Sequence, residues 1–370
     1  MLPSKKITFF FHMLGNGGLT RVMIKLMTDL ANNGFKVDLI ITPNNRQDRI
    51  ELIPPEVNIV TLKSSRIIII PTLIASYLKK EKSDILFSGG PLANCIVLLA
   101  RSLSLTSTKV FITEHSLPSH DIPEVYNQRI RSVLPYLMKK LYPKADEIIA
   151  VSKTVAKDLA EYIHHYPIHN IKVIYNPVVS EDLIQKSKEP VSHLWFDNKQ
   201  TPVITYVGRL VPTKNIPLLI DAFSIVNKTN TCKLLVIGEG PELTSLVSKV
   251  EGLSLKDKVD FIGHSENPYP FIRQSDLLAL TSKYEGLGNV IIEALACNTH
   301  VVATNNLGSA IEILDQGKYG ILAANDSQSL AKAITSIITK KISFTGLEQR
   351  SQVFNAKVSI YKYIELINNY

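Results

Sequence analysis

The chain predicts an α/β protein built from two Rossmann-like domains, each a parallel sheet wrapped by helices. Three observations carry that reading. Its 370 residues exceed the size of a usual single domain. Short apolar runs alternate with helical patterns in both halves, as in a doubly wound sheet. Between the two alternating sets lies a polar, proline-bearing stretch that reads as a linker: Pro177, then 185–190, then 198–202.

In the first half the candidate strands are 7–11, 37–42, 58–61, 84–87, 110–113, 147–151 and 173–175, with helical patterns such as 20–33 and 92–103 between them. A run at 67–75 is apolar but broken by Pro71, and reads as part of a buried helix or strand. The second set runs 203–207, 234–237, 259–262, 277–281, 301–304 and 320–323. The spacing thus predicts a first domain over 1–180 and a second over 198–353. No short-period repeat and no low-complexity tract interrupts them.

Composition sets the bounds on function. Hydrophobic residues make up 45% and charged residues 20%, an ordinary globular balance. Cys95, Cys232 and Cys297 are odd in number and far apart, which fits a reducing compartment without disulfides or a thiolate metal site. No apolar stretch approaches the ~20 residues of a spanning helix, and 7–11 is too short for a signal-peptide core. The reading is a soluble or peripheral protein. Charge is uneven: residues 1–175 hold 22 Lys/Arg against 14 Asp/Glu, and the remainder 19 against 19. All of the net +8 therefore lies in the first half, which suggests an anionic partner.

The most informative stretch is Ser282-Lys283-Tyr284-Glu285-Gly286-Leu287-Gly288-Asn289-Val290-Ile291-Ile292-Glu293-Ala294. It follows the apolar run 277–280, contains two glycines that permit a tight turn, and continues as a helix over 290–296 with Asn289 as a fitting N-cap. Strand, glycine turn and helix N-terminus together suit a phosphate, because unpaired N–H groups and the helix dipole converge there. The two carboxylates do not suit phosphate. They suit hydroxyls, such as those of a sugar and a ribose. Glu–seven residues–Glu alone would be weak; the ordered context raises it.

Two further segments matter in the same way. In Tyr206-Val207-Gly208-Arg209-Leu210-Val211-Pro212-Thr213-Lys214-Asn215 a strand runs into a glycine, and two cations follow five positions apart. Arg209 offers a fork matched to phosphate oxygens and Lys214 a point charge, a pair suited to a diphosphate. In Thr113-Glu114-His115-Ser116, His115 follows a strand at its carboxyl end, where open α/β sheets gather ligands. A lone histidine is more often structural. Gly15-Asn16-Gly17-Gly18 sits where a dinucleotide fold would carry Gly-x-Gly-x-x-Gly, but Thr20 stands at the last position and no acid ends the second strand. NAD is disfavoured.

These strings resemble the signature of retaining nucleotide-sugar glycosyltransferases of family four, which have the GT-B fold. The resemblance covers most of 203–323, with Val236-Ile237-Gly238-Glu239-Gly240-Pro241, Phe261-Ile262-Gly263 and Val301-Val302-Ala303-Thr304…Gly308…Glu312 in the family's order, and 7–21 and 110–116 more loosely. Asn298, His300 and Leu307-Gly308 depart from it without removing a charge. The resemblance implies two parallel-sheet domains facing across a cleft, with the last helix (354–370) crossing back onto the first. It implies a sugar moved from a nucleoside diphosphate, with UDP as the expected carrier, to an acceptor hydroxyl. Arg209 and Lys214 would stabilise the leaving diphosphate, Glu285 would hold the donor sugar, Glu293 the ribose, and His115 would line the reaction site. Gly17, Gly18, Gly208, Gly238, Ile262, Gly288, Asn289 and Val290 would complete the donor site.

No Asp-x-Asp pair occurs, so no metal bridge to the diphosphate is expected, and no cofactor. His164, His165 and His169 crowd one loop without a carboxylate or thiol to complete a ligand set, and read as surface residues. Arg129 to Lys144 mixes cations with apolar and aromatic residues, interrupted by Pro135, so it is expected to be kinked or in two pieces. It reads as a solvated face or, given the charge asymmetry, as a peripheral anchor on anionic lipid. Nucleic acid is disfavoured because no binding motif is present. The expected acceptor is a lipid-linked or cell-surface glycan of lipopolysaccharide, O-antigen or capsule assembly at the cytoplasmic face of an inner membrane. A soluble acceptor, a sugar-nucleotide epimerase of the same fold and a silent nucleotide-binding protein remain alternatives. The charged set Arg209, Lys214, Glu285 and Glu293 argues against silence.

Overall fold

Apolar runs too hydrophobic to leave one face in water become strands buried on both faces, and these strands organise each half of the chain. The computed structural model describes residues 5–12, 18–44, 50–197, 199–305 and 307–370. Two compact units emerge, 1–177 with 357–370, and 178–356.

In the first unit the strands are β1 (Lys6–Phe11), β2 (Lys36–Ile41), β3 (Val57–Thr61), β4 (Ile85–Gly89), β5 (Lys109–Glu114), β6 (Glu147–Ala150) and β7 (Ile171–Val173). They pair in the order β3-β2-β1-β4-β5-β6-β7, and every pairing is parallel. The order reverses between β1 and β4, the switch point outside which ligands of such sheets bind. The last strand lies two residues earlier than 173–175: Ile171 is its buried residue, and Ile174 already bonds back to the Ala150 carbonyl at 3.1 Å. Along the sheet Phe9 and Phe87 stack at 5.0 Å, and Phe87 meets Phe111 edge-on at 5.1 Å.

The helix Ala356–Asn368 closes this core. Ile360, Tyr363, Leu366 and Ile367 join the buried cluster of Phe9, Phe87 and Phe111, with Tyr363 edge-on to Phe87 at 6.1 Å. Lys5 Nζ donates to the Ile367 carbonyl at 2.8 Å, and Tyr370 Oη to the Asp146 carbonyl at 3.0 Å. The C-terminal helix thus belongs to the N-terminal unit.

Two local expectations change. Residues 128–141 form one helix despite Pro135, followed by a 3₁₀ turn at Tyr142–Lys144. Leu134, Met138 and Leu141 bury its inner face, and it packs on the helix Pro91–Ser104. That packing offsets the one forgone hydrogen bond of the proline. The apolar run 67–75 is only partly buried: the helix starts at Ile70, with Pro71 in its first turn, while Ile68 is 91% exposed.

In the second unit the strands are β8 (Val203–Val207), β9 (Lys233–Ile237), β10 (Val259–Gly263), β11 (Leu277–Leu280), β12 (Tyr284–Glu285), β13 (His300–Thr304), β14 (Leu307–Gly308) and β15 (Ile321–Ala323). Six form a parallel sheet ordered β10-β9-β8-β11-β13-β15, and β12 pairs with β14 apart from it. The stretch 178–197 is not a free linker. Ser180 Oγ caps the helix Glu181–Lys186 through Leu183 N at 3.2 Å, and Asn267 Nδ2 donates to the Lys186 carbonyl at 3.1 Å. Phe196 packs with Val203, Leu235 and Ile237. These residues build the second unit's own core.

Candidate active site

The switch point of the second sheet falls between neighbouring strands β8 and β11, and the charged motifs occupy the loops that leave them. After β8 the chain turns at Gly208, passes exposed Arg209, and makes a 3₁₀ turn at Pro212–Lys214. Asn215, left-handed at φ 49°, then starts the helix Ile216–Val226. After β11, residues 281–285 lie against that turn. Lys283 N donates to the Thr213 carbonyl at 2.8 Å, and Thr281 Oγ1 to the Lys214 carbonyl at 3.0 Å.

This clamp joins two charges that lie 71 residues apart in sequence. Lys214 Nζ donates to Glu285 Oε1 in a direct ion pair, with each side chain only 19% exposed. Ser282 Oγ donates to the same oxygen at 2.6 Å. The lysine, with three donors and one carboxylate contact described, keeps capacity for a further anion. Glu285 also sits in β12, whose partner Gly308 comes so close that a Cβ there would meet Glu285 N at 3.0 Å.

The neighbouring turns are stacked backbone on backbone. Gly208 N donates to the Ile237 carbonyl at 3.0 Å, Leu210 N to Glu239 at 2.8 Å, and Gly238 N to Gly263 at 2.7 Å. A Cβ on Gly238 would lie 1.9 Å from the Gly208 carbonyl oxygen, and its φ of 143° is foreign to side chains. The glycine is therefore demanded by close approach. Fully buried Tyr206 supports the same turn from below, its hydroxyl donating to the Arg209 carbonyl at 3.2 Å. Ile262 turns its side chain toward the Phe196 cluster, and the strand bulges between Phe261 and Gly263.

Asn289 is not the N-cap. The helix begins at Asn289 itself, and Gly288, left-handed at φ 57°, occupies the cap with no side-chain hydrogen bond. A residue free to adopt that conformation turns the chain sharply from Leu287, which is buried, into the helix. The helix N-terminus, including Val290, stays at the strand ends, and Glu293 is half-buried one turn in. Ser282, Thr281, Thr213 and Tyr206 were not singled out by the sequence. The only hint was their position within the two motifs or, for Thr281, at the end of the strand that leads into one.

In the first unit Gly18 opens the helix Gly18–Asn32, while Gly15, Asn16 and Gly17 lie outside the described residues. His115 follows β5. Its Nε2 lies 2.9 Å from Thr113 Oγ1, its Nδ1 is buried without a partner, and burial pushes its pKa down to about 3. The imidazole is neutral at physiological pH. Beside it in sequence, fully buried Glu114 accepts from Tyr142 Oη and, at 2.9 Å, from Asn94 Nδ2. Burial raises the Glu114 pKa to about 8.

Other features are structural. A cavity of about 590 Å³ lies at the opposite end of the first sheet, near Lys5, Lys79, Lys82 and Lys109. Two helices end there, at Lys82 and Leu105, so the lysines face helix C-termini whose dipoles favour cations. His164, His165 and His169 are exposed, and no metal-ligating cluster occurs among the described residues. The cysteines are buried and free. No described helix is long and apolar enough to cross a membrane.

Two doubly wound parallel sheets, with a cation–carboxylate pair and a helix N-terminus at a switch point, mark an α/β protein whose second unit suits a phosphorylated ligand. Comparison with known proteins gives the family. A family model described as Glycosyltransferase Family 4 matches residues 16–182, and one described as Glycosyl transferases group 1 matches 191–355. The N-acetylgalactosamine-N,N'-diacetylbacillosaminyl-diphospho-undecaprenol 4-alpha-N-acetylgalactosaminyltransferase of Campylobacter jejuni is 31% identical over 338 residues, covering 88% of this chain and 87% of its own. Among solved structures, the lipopolysaccharide outer core galactosyltransferase WaaB superposes with a TM-score of 0.78 at 17% identity, covering 98% of this chain and 99% of its own. HepE of Anabaena, in complex with UDP and glucose, gives 0.78 at 22% identity, covering 99% and 100%. The chain belongs to glycosyltransferase family four, and it is a glycosyltransferase.

Proposed function

We propose that this enzyme transfers a sugar from a UDP-sugar, with retention, to a hydroxyl of a lipid-linked glycan during bacterial surface-polysaccharide assembly. The observation that carries it is the clamp between the β8 and β11 loops, which brings Lys214 to Glu285 at the switch point. Lys214 and Arg209 neutralise the departing diphosphate, assisted by the N–H groups of Gly288, Asn289 and Val290. Glu285 holds sugar hydroxyls, and Glu293 the ribose. The bond from the anomeric carbon to the diphosphate oxygen breaks, the acceptor oxygen bonds on the same face, and the leaving phosphate takes the acceptor's proton. With two cations and a helix terminus on the diphosphate, the reaction proceeds without a dedicated metal.

The carrier and acceptor draw support from similarity. HepE is seen with UDP and with UDP-glucose, and the Campylobacter relative's name specifies a diphospho-undecaprenol acceptor. For the lipid, one helix of the first unit supports the reading. The helix Gln128–Leu141 carries Arg129, Arg131, Lys139 and Lys140 with no acid, and it exposes Val133 and Tyr136. Lys140 Nζ lies 4.5 Å over the Tyr136 ring. Facing anionic lipid, each cation would contribute about 1 kcal/mol, which supports the reading of a peripheral enzyme at the cytoplasmic face of the membrane.

Calorimetric titration of UDP, GDP and ADP, followed by a UDP-sugar panel with chelator present, tests the reading. Micromolar binding of one diphosphate, lost in the Arg209→Ala/Lys214→Ala double variant, is expected. No binding of any of the three would overturn it, and donor consumption without an acceptor would mark an epimerase.

A further inference from the structure

The hydrogen-bond chain that ends at His115 determines which of its nitrogens carries the proton. Thr113 is fully buried in β5, with its hydroxyl between two partners. Thr113 Oγ1 donates to the Ser88 carbonyl at 2.8 Å, and His115 Nε2 lies 2.9 Å from the same oxygen. A threonine hydroxyl has one proton, and a carbonyl can only accept. The proton is therefore committed to Ser88, and Thr113 Oγ1 can meet the ring only as an acceptor. His115 Nε2 must carry hydrogen.

In a neutral imidazole the other nitrogen is then a bare acceptor. That nitrogen, Nδ1, is buried and has no partner among the described residues. A buried acceptor left open is unfavourable, so its presence at a carboxyl end of the sheet points to a donor that arrives with substrate. The framework that holds the hydroxyl is rigid. The Thr113 carbonyl accepts from Gly90 N and from Asn94 Nδ2, both at 3.0 Å, and Asn94 Oδ1 in turn accepts from Ser88 Oγ at 2.7 Å. Gly89 leaves room for it: a Cβ there would press to 3.1 Å from Thr113 Oγ1.

We propose that Thr113 is a positioning residue that fixes His115 with its proton on Nε2, so that Nδ1 accepts a hydrogen bond from a hydroxyl of a sugar substrate. The substrate part rests on the proposed glycosyl transfer, whereas the tautomer part does not.

The test is a two-bond nitrogen–proton correlation spectrum of histidine-labelled enzyme at neutral pH, with His115→Gln assigning the signal. The expected result is a protonated Nε2 and a bare Nδ1, kept in Thr113→Ser and partly transferred to the Nδ1-protonated form in Thr113→Val. In steady-state kinetics Thr113→Val should lower kcat/KM about tenfold, the worth of one good hydrogen bond, and Thr113→Ser should restore it. A rise confined to the acceptor's KM assigns the hydroxyl to the acceptor, and a lower kcat or higher donor KM assigns it to the donor sugar. A wild-type proton on Nδ1 overturns the proposal, as does a Thr113→Val enzyme with unchanged tautomer. A tautomer change without kinetic effect overturns the substrate contact. If no diphosphate binds at all, the proposed function fails, and the spectrum still decides the role of Thr113.

Discussion

Replacing Glu285 by Gln should tighten UDP binding while slowing sugar transfer. In the free enzyme Glu285 competes with any incoming anion for Lys214, since both side chains are 19% exposed and directly paired. Two unit charges about 4 Å apart attract by roughly 4 kcal/mol at an effective dielectric near 20, before desolvation is subtracted. Pairs of this exposure retain a net value of about 1 kcal/mol. Removing the carboxylate releases that share to the ligand and removes its repulsion of the diphosphate, so UDP affinity should rise about fivefold. Lys214→Ala acts in the opposite sense. It deletes the cation and leaves the carboxylate facing the phosphates, so UDP should bind at least tenfold more weakly. Turnover should fall by about 10²–10³, the range for losing one preorganised charge stabiliser. In the double variant the lysine's loss should cost less, because the repelling carboxylate is gone. Calorimetric UDP titration of the four proteins, with kcat on the best UDP-sugar, measures all of this. A Glu285→Gln enzyme that binds UDP as weakly as Lys214→Ala would refute the competition and make Glu285 a ligand of the diphosphate end itself.

Gly238→Ala forces a Cβ to within 1.9 Å of the Gly208 carbonyl oxygen at a φ of 143°. It should cost more than about 2 kcal/mol and weaken UDP binding by moving Arg209; thermal unfolding within 0.5 kcal/mol of wild type and intact binding would contradict the stacked-turn account. Tyr363→Ala empties a fully buried ring site against Phe87 and should destabilise the first unit by about 3–5 kcal/mol in urea unfolding, while a loss below about 1 would show that the C-terminal helix is not part of its core. Glu114 titrates at about 8 in the folded chain against 4.5 ordinarily, so the folded state binds the extra proton between those values. Its contribution is full below pH 4.5 and is lost as pH rises through about 8, a few kcal/mol in all. Glu114→Gln should flatten that slope in pH-dependent unfolding, and an unchanged slope would mean that the carboxyl is already ionised.

The parts of this enzyme that could be read from sequence are those where one local rule settles the matter. Strands buried on both faces must be apolar throughout, and a polar residue in the loop after such a run must lie near the sheet's carboxyl edge; Arg209, Lys214, Glu285 and His115 were legible for that reason. Where two rules compete, tertiary packing decides. Asn289 has the better side chain for a cap, but the turn needs a left-handed residue one position earlier, and Gly288 meets that need. Pro135 could have split the segment in two, but three buried side chains hold both of its flanks in one helix. Residues 185–190 are polar enough for a linker, but the Ser180 cap and Phe196 on either side bind the stretch to the second core. Partners across strands escape sequence altogether. Nothing in Thr113 announces that its one proton is committed to Ser88, on another strand, and so nothing announces what His115 can accept. A chemical type at a strand end follows from local pattern, whereas a protonation state follows from a count of donors that only the assembled sheet supplies. The residues of the candidate site are thus legible by kind, and their tuning becomes legible only through their neighbours.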